Sequence, residues 1–428
     1  MSIQKDLQNL LDAQVITQET ADKITTYYAT QKQAAPNRLL VVFGVIGAIL
    51  IGSGIMLILA HNWDTFSRFT KTFFSLLPLL IGQLICAYTF FKKYDSITWR
   101  EASSAFLIFA VGGSIAMVGQ IYNIPGDPNA FLLTWLLLCL PLVYIMRSSV
   151  TSLLFLAGAT YYTTQVGYWK FNATALFTYA ALLLAIMPHY YYLWKEKSTS
   201  NALGFHHWGI ALSLAICTGI VADSAKQTLL LTYMSLAGLF FLIGNSAFFR
   251  HQSYRSNAYK ILGVFGSLAL LFLMSFDDFW REIFRKKETL SYLLSGPEML
   301  TALLFMIPSG ILLWQQANDK TIGINKPFQV LFLVFLLVFL LEFALPGIAF
   351  LFVNILLFAI GIWIIRHGAI QNRLGVLNLG LMVMTLLIIC RFFDFDIPFV
   401  LRGILFVLIG IAFFIVNYRM VQKGKENN

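Results

Sequence analysis

The chain has 428 residues, of which 58% are hydrophobic and only 12% charged, and its formal net charge is +10. A soluble domain carries roughly 25% charged residues, so half that fraction over this length leaves too little polar surface for a soluble fold. In such a composition the basic excess belongs to cytoplasmic loops beside anionic lipid rather than to a nucleic-acid surface.

The first 38 residues are polar and mixed in charge. Leu7, Leu10 and Leu11 make one apolar stripe, and Ile24, Tyr27 and Tyr28 a second, so two short helices are predicted. Thr17 is the expected N-cap of the second, with Glu19 in its first turn. Pro36 breaks the chain ahead of the first apolar run. A hairpin of this size cannot bury its own core. Residues 1–36 are therefore read as a cytoplasmic helical hairpin that docks on the membrane part, on a protein partner or on a second copy of itself. Residues 37–428 are read as a transmembrane helix bundle surrounded by membrane lipids. With no signal peptide ahead of it, the first span is expected to be an uncleaved anchor.

From Leu39 onward, apolar runs long enough to cross the hydrocarbon recur near 39–60, 72–91, 102–122, 129–146, 149–166, 174–194, 207–222, 227–249, 260–276, 298–316, 327–345, 347–365, 374–391 and 397–418. The expected fold is all-α, a polytopic bundle of about 14 spans within a range of about 12 to 14. The fifth and seventh runs are short enough to be re-entrant. Only Pro346-Gly347 separates the eleventh from the twelfth, which leaves one broken helix as the alternative. With the N-terminus inside, about 20 of the 30 Lys and Arg fall on the cytoplasmic side. This places both termini in the cytoplasm of a bacterial inner-membrane protein. The main exception is the outer segment Phe276 to Glu288. Its Phe279, Trp280, Ile283 and Phe284 stripe reads as an amphipathic helix lying on the interface.

Three outward-running spans end in acid, aromatic and arginine together: Ala60 to Arg68, containing Asn62, Trp63 and Asp64; Phe276 to Arg281; and Arg391 to Asp396. Interface chemistry explains this pattern, and an internal repeat of the transporter kind is the alternative. Within the spans, Glu342 is the carboxylate set deepest in an apolar run. Arg391 or Arg402, at similar depth, is the expected ion-pair partner. Glu342, Arg391, Arg402, Asp394 and Asn354 are the expected substrate or ion pathway. Gln83, Gln120, Asn123, His189, Asn354 and Asn378 are expected to bond between helices. The run Gly119 to Asp127 is expected to form an outer loop lining a cavity. Gly112, Gly113 and Gly119, like Gly44, Gly47, Gly52 and Gly54, are expected to permit close helix approach. His206 and His207, adjacent and so not facing one site, are expected at a solvated loop end. The four cysteines form no Cys-x-x-Cys pair and read as small packing residues. No catalytic motif, metal site or cofactor is indicated.

The hairpin signature Ile16-Thr-Gln-Glu19 with Ile24-x-x-Tyr27-Tyr28 is followed by Gly47-x-x-x-x-Gly52-x-Gly54 and Ala60-x-Asn62-Trp63-Asp64. This series resembles a bacterial membrane-protein family known as domain of unknown function 2157. Gly119-Gln-Ile-Tyr122, the span holding Pro141, and Arg391-Phe-Phe-Asp394 with Gly403-x-x-Phe406-x-x-x-Gly410 fit the same type. The resemblance extends over most of the chain and is most specific over residues 7–64. Gln14 departs from it, standing where such hairpins usually have a turn glycine. The resemblance implies an architecture and no activity.

Three functions fit these readings. The first is a transporter-like or channel-like protein for a small solute or ion, with no enzymatic activity. The second is a membrane scaffold or sensor whose N-terminal hairpin binds a partner. The third is an intramembrane enzyme acting on lipid or isoprenoid substrates. A water-wide cavity reaching the midplane favours the first, a closed core the second, and a lateral slot lined by acids the third.

Overall fold

A computed structural model of the chain describes residues 7, 10–33, 61, 63–168, 171–222, 226–252, 256–284, 290–319 and 326–394, with isolated helical positions between 400 and 414. It has two compact units, Met1–Ser75 and Leu76–Asn428.

In the first unit, helix α1 spans Gln18–Gln33. Thr17 Oγ1 accepts from the Thr20 amide at 3.4 Å, as an N-cap should. Glu19 pairs with Lys23 one turn on, at 2.7 Å and fully in water. Gln14 takes a left-handed φ of 55°. The turn geometry that a glycine would adopt is thus kept, and glutamine bears its steric cost. The predicted first span, with Gly44, Gly47, Gly52 and Gly54, lies outside the described residues, as does Asn62. Trp63 and Asp64 form a short 3₁₀ turn, Trp63–Thr65, and Lys71 Nζ sits 5.8 Å from the centre of the Trp63 ring.

Helix α2, Arg68–Lys92, leads into the second unit. There follow α3 (Ile97–Ile121), α4 (Pro128–Ile145), α5 (Ser149–Gly167), α6 (Ala173–Glu196), α7 (Asn201–Cys217), α8 (Lys226–Gly244), α9 (Ala258–Met274), α10 (Asp277–Ile283), α11 (Leu290–Ser295), α12 (Pro297–Asn318), α13 (Pro327–Ala344), α14 (Ala349–Ile370) and α15 (Leu374–Asp394). Each predicted span within the described residues falls on a helix, but the predicted fifth, α5, is not among those long and apolar enough to cross a membrane. Ten are long and apolar enough to cross a membrane, and α9 with α10 makes an eleventh if that bent pair is one span. The predicted span 397–418 lies largely outside the described residues, Arg402 with it. Residues 327–370 form two helices with a turn between them, not one broken helix, and Gly347 in that turn has a φ of +86°.

The starts of these helices are written in polar side chains. Asp127, Ser148, Asn172, Ser200 and Asn257 each accept from a first-turn amide of the helix that follows. The packing divides into regions. Leu132, Leu136, Phe155, Leu182 and Ile210 join α4 to α7. Met234, Phe241, Leu271, Phe335, Val353 and Leu357 join α8, α9, α13 and α14.

Two predictions fail here. The chain turns 87° between α9 and α10. The stripe expected to lie on the lipid surface instead turns into the protein: Trp280 is 2% exposed, and Phe279, Ile283 and Phe284 pack on the core around it. Trp280 Nε1 donates to the Met274 carbonyl at 2.7 Å, so the indole closes the corner it sits in. The expectation of close approach also separates the glycines. A Cβ on Gly112 would meet the Trp135 ring at 2.5 Å, whereas Gly113 and Gly119 face open space.

Candidate cavity and the α9–α10 corner

An opening of about 1300 Å³ in the second unit lies between α2, α3 and α4. Its mouth is the loop that joins α3 to α4. Asn123 takes the left-handed φ of 49° that ends α3, with the Ile124 amide donating to Gly119 O at 2.9 Å. Asn tolerates this conformation better than most residues with a Cβ. Asp127 then caps α4, its two oxygens accepting from Asn129 N and Ala130 N at 3.2 Å each, and Pro128 supplies a first turn that needs no donor. Gly119, Gln120, Asn123 and Asp127 all line the opening, as the sequence predicts. Deeper down, Gln83, Ser114 and Thr134 put polar groups on walls otherwise made by residues such as Leu79, Val111 and Leu138. Val111 and Leu138 each lie ten residues from the loop ends of their helices. At 1.5 Å per residue that is a depth of about 15 Å, half of a hydrocarbon core of about 30 Å.

Of the predicted pathway residues, Asn354 and Arg391 meet elsewhere, at the corner where α9 turns into α10. Asn354 Nδ2 donates to the carbonyls of Ser275 and Phe350 at 2.9 and 2.7 Å. Arg391 donates to Ser275 Oγ at 3.3 Å and lies 4.8 Å from the centre of the Phe276 ring. Both border a cavity of about 340 Å³ with Phe350, Leu351 and Leu387. Glu342 is 4% exposed and is held differently from the expectation. Its carboxylate accepts from the Gly347 and Ala349 amides at 2.9 and 3.2 Å, tying the end of α13 to the start of α14. Among the described residues its partners are these amides and not Arg391. The physical reason is local: the turn at Gly347 leaves the first amides of α14 without carbonyl partners, and an anion at a helix N-terminus satisfies both charge and hydrogen bonds. Asp394 ends α15.

Other polar clusters escaped the sequence. His206 and His207 are buried, at 0% and 1% exposure, and not at a solvated loop end. Helix α7 starts at Asn201, capped by Ser200, several residues before the predicted start, which draws both rings into the bundle. Being adjacent, they face different neighbours. His206 bonds Ser152 Oγ at 3.0 Å and lies 5.5 Å from the His189 ring. His207 bonds the Ser256 carbonyl at 3.0 Å among Phe249 and Tyr259. Glu101 lies within α3, which starts earlier than predicted, and caps α5 by accepting from the Ser149 and Val150 amides at 2.9 and 2.8 Å. Among the described residues no three His, Cys, Asp or Glu side chains gather as a metal site.

Comparison with protein families now bears on the first third of the chain. Residues 8–152 match the family model described as predicted membrane protein (DUF2157). The similarity therefore spans the hairpin and α2 to α4, the helices that form the large cavity. It stops at the start of α5, so the Arg391-Phe-Phe-Asp394 and Gly403 to Gly410 patterns lie beyond it. No curated protein and no solved structure matches the chain. The chain is a membrane protein with multiple apolar helices in contact with lipid.

Proposed function

We propose that this protein is a solute-binding, transporter-like protein of a bacterial cytoplasmic membrane, and that the cavity between α2, α3 and α4 is its binding site. The observation that carries the reading is the reach of that cavity to about half the hydrocarbon depth, with Gln83, Ser114, Gln120, Asn123, Asp127 and Thr134 on its walls. Amide and hydroxyl groups at such depth orient a small polar solute by hydrogen bonds, and Asp127 at the mouth favours a cation or a neutral solute over an anion. Asn354 and Arg391, beside the smaller cavity, are pathway residues in this reading, and Glu342 sets the angle between α13 and α14. Asn62, Trp63 and Asp64 lie at the outer interface, and both termini lie in the cytoplasm by the charge asymmetry.

The test is whether the cavity holds water. In lipid nanodiscs and a Cys390→Ser background, Gln83→Cys and Thr134→Cys, both at exposed positions, should react with a membrane-impermeant maleimide, while the native Cys86, Cys139 and Cys217, all buried, stay slow. Reaction with a lipid-soluble reagent alone would mean that acyl chains fill the space, and the solute-binding reading would fall.

A further inference from the structure

At the opposite end of the helices from the Glu342 corner, a second cavity of about 390 Å³ opens among α8, α9, α13, α14 and α15. Four basic side chains line it. Lys260 stands in the first turn of α9, Lys326 caps α13, His367 lies in the last turn of α14, and Arg373 immediately precedes α15. Among the described residues that line it there is no carboxylate. The N-termini of α9, α13 and α15 and the C-terminus of α14 meet at one small space that holds these basic side chains.

The site is built. Lys326 Nζ donates to Asn245 Oδ1 at 2.5 Å. Asn245 in turn donates to Gln316 Oε1 at 3.1 Å, and Gln329 donates to the same oxygen at 3.0 Å. Gln316 closes the network on the Leu242 carbonyl at 2.8 Å. The His367 ring is stacked on Trp363 at 4.7 Å, nearly parallel. Below the basic rim the walls are apolar: Phe241, Val264, Phe328, Trp363 and Leu379, with Phe265 half-exposed on the outer face of α9. Basic side chains gathered over low-dielectric walls favour an anion among them. The form of the site, basic at the membrane face and apolar toward the hydrocarbon, matches a group with a negative head and a greasy continuation.

We propose that this cavity binds a phosphate anion, of the kind an anionic phospholipid headgroup carries, through Lys260, Lys326, His367 and Arg373. The phosphate oxygens take the donors of the rim, Arg373 offering the planar fork that fits two of them. The glycerol and upper acyl carbons lie along Phe265 and Leu379.

The test uses the full chain in dodecylmaltoside micelles, reading the melting temperature. Phosphatidylglycerol added to the micelles should raise it by about 3 °C over phosphatidylcholine at the same content. The double variant Arg373→Gln/His367→Gln, in which one side chain is exposed and the other half-buried, should lose that rise. Arg366→Gln, an exposed basic change on the same helix but outside the cavity, should keep it. If inorganic phosphate, compared with chloride at equal ionic strength, gives the rise and the double variant abolishes it, the site stands and its phosphate is a soluble one. The proposal is overturned if neither phosphate source raises the melting temperature. It is also overturned if the rise survives in the double variant or is lost equally in Arg366→Gln. Because the readout does not involve the α2–α4 cavity, the proposal can fail or stand independently of the solute-binding reading.

Discussion

Helices α2 and α8 are nearly equally apolar, yet 22% of the apolar stretch of the first is buried in the protein and 78% of that of the second. Apolar content therefore states that a helix is in the membrane and not where. Lipid tails are as apolar as leucine, so no hydrophobic force draws a helix to the centre of the bundle. On α8 the small and hydroxylated positions are the ones that meet other helices. Thr228, Thr232 and Ser235 are fully buried. A Cβ on Gly238 would meet Phe332 Cβ at 2.5 Å. Thr232 Oγ1 donates to the Glu298 carbonyl of α12 at 2.8 Å. Around α2 and α3, by contrast, helices stand apart and leave the large cavity.

The comparison breaks most sharply at glycine. Gly263 of α9 lies against the α8 backbone, where a Cβ would stand 2.5 Å from Phe241 N. Gly263→Ala should cost about 2–3 kcal/mol of stability, because backbone cannot yield as a side chain can. Gly113→Ala, in open space on α3, should be neutral or stabilising by up to about 1 kcal/mol through helix propensity. Melting of the two variants in detergent measures both. Equal losses would mean that the two regions are packed alike.

Next in size is Glu342→Gln. Glutamine keeps one acceptor oxygen and replaces the other by a donor facing an amide, so a loss of about 1–3 kcal/mol is expected. Adding Arg391→Gln should not restore the melting temperature, since the carboxylate answers to Gly347 and Ala349. Rescue by the second change would reinstate the ion pair. Glu101→Gln is the counterpart in the other region. It should lose about 1 kcal/mol, less than Glu342→Gln because Glu101 is only half-buried. The smallest effect is expected at the cavity mouth: Asp127→Ala removes a cap worth about 1 kcal/mol, while Asp127→Asn keeps it and changes only the charge. In a solute-binding assay, a deficit in Asp127→Asn with an unchanged melting temperature separates recognition from folding.

Particular residues show why some of this was legible and some was not. The cap at Thr17, the turn at Gly347 and the loop from Gly119 to Asp127 are short-range features, set by side chains bonding amides a few residues away, so spacing alone located them. The α10 stripe was seen but misplaced, because an amphipathic face packs equally well on lipid or on protein. His206 and His207 were assigned to a loop because a hydropathy window does not register Ser200, the cap that extends α7 upstream. Lys260, Lys326, His367 and Arg373 are scattered over more than a hundred residues, and each alone resembles an ordinary loop charge.

The sequence by itself determined that the chain is a helical membrane protein, where its described apolar helices lie and that Thr17 starts α1. Those properties follow from apolar run length and from local capping, both encoded within a few turns. Only the tertiary structure decided which helices are central, that Glu342 holds a turn and not an arginine, and that four distant basic residues share one cavity. Those outcomes depend on small side chains meeting across helices, and no periodicity within a single helix records what stands opposite it.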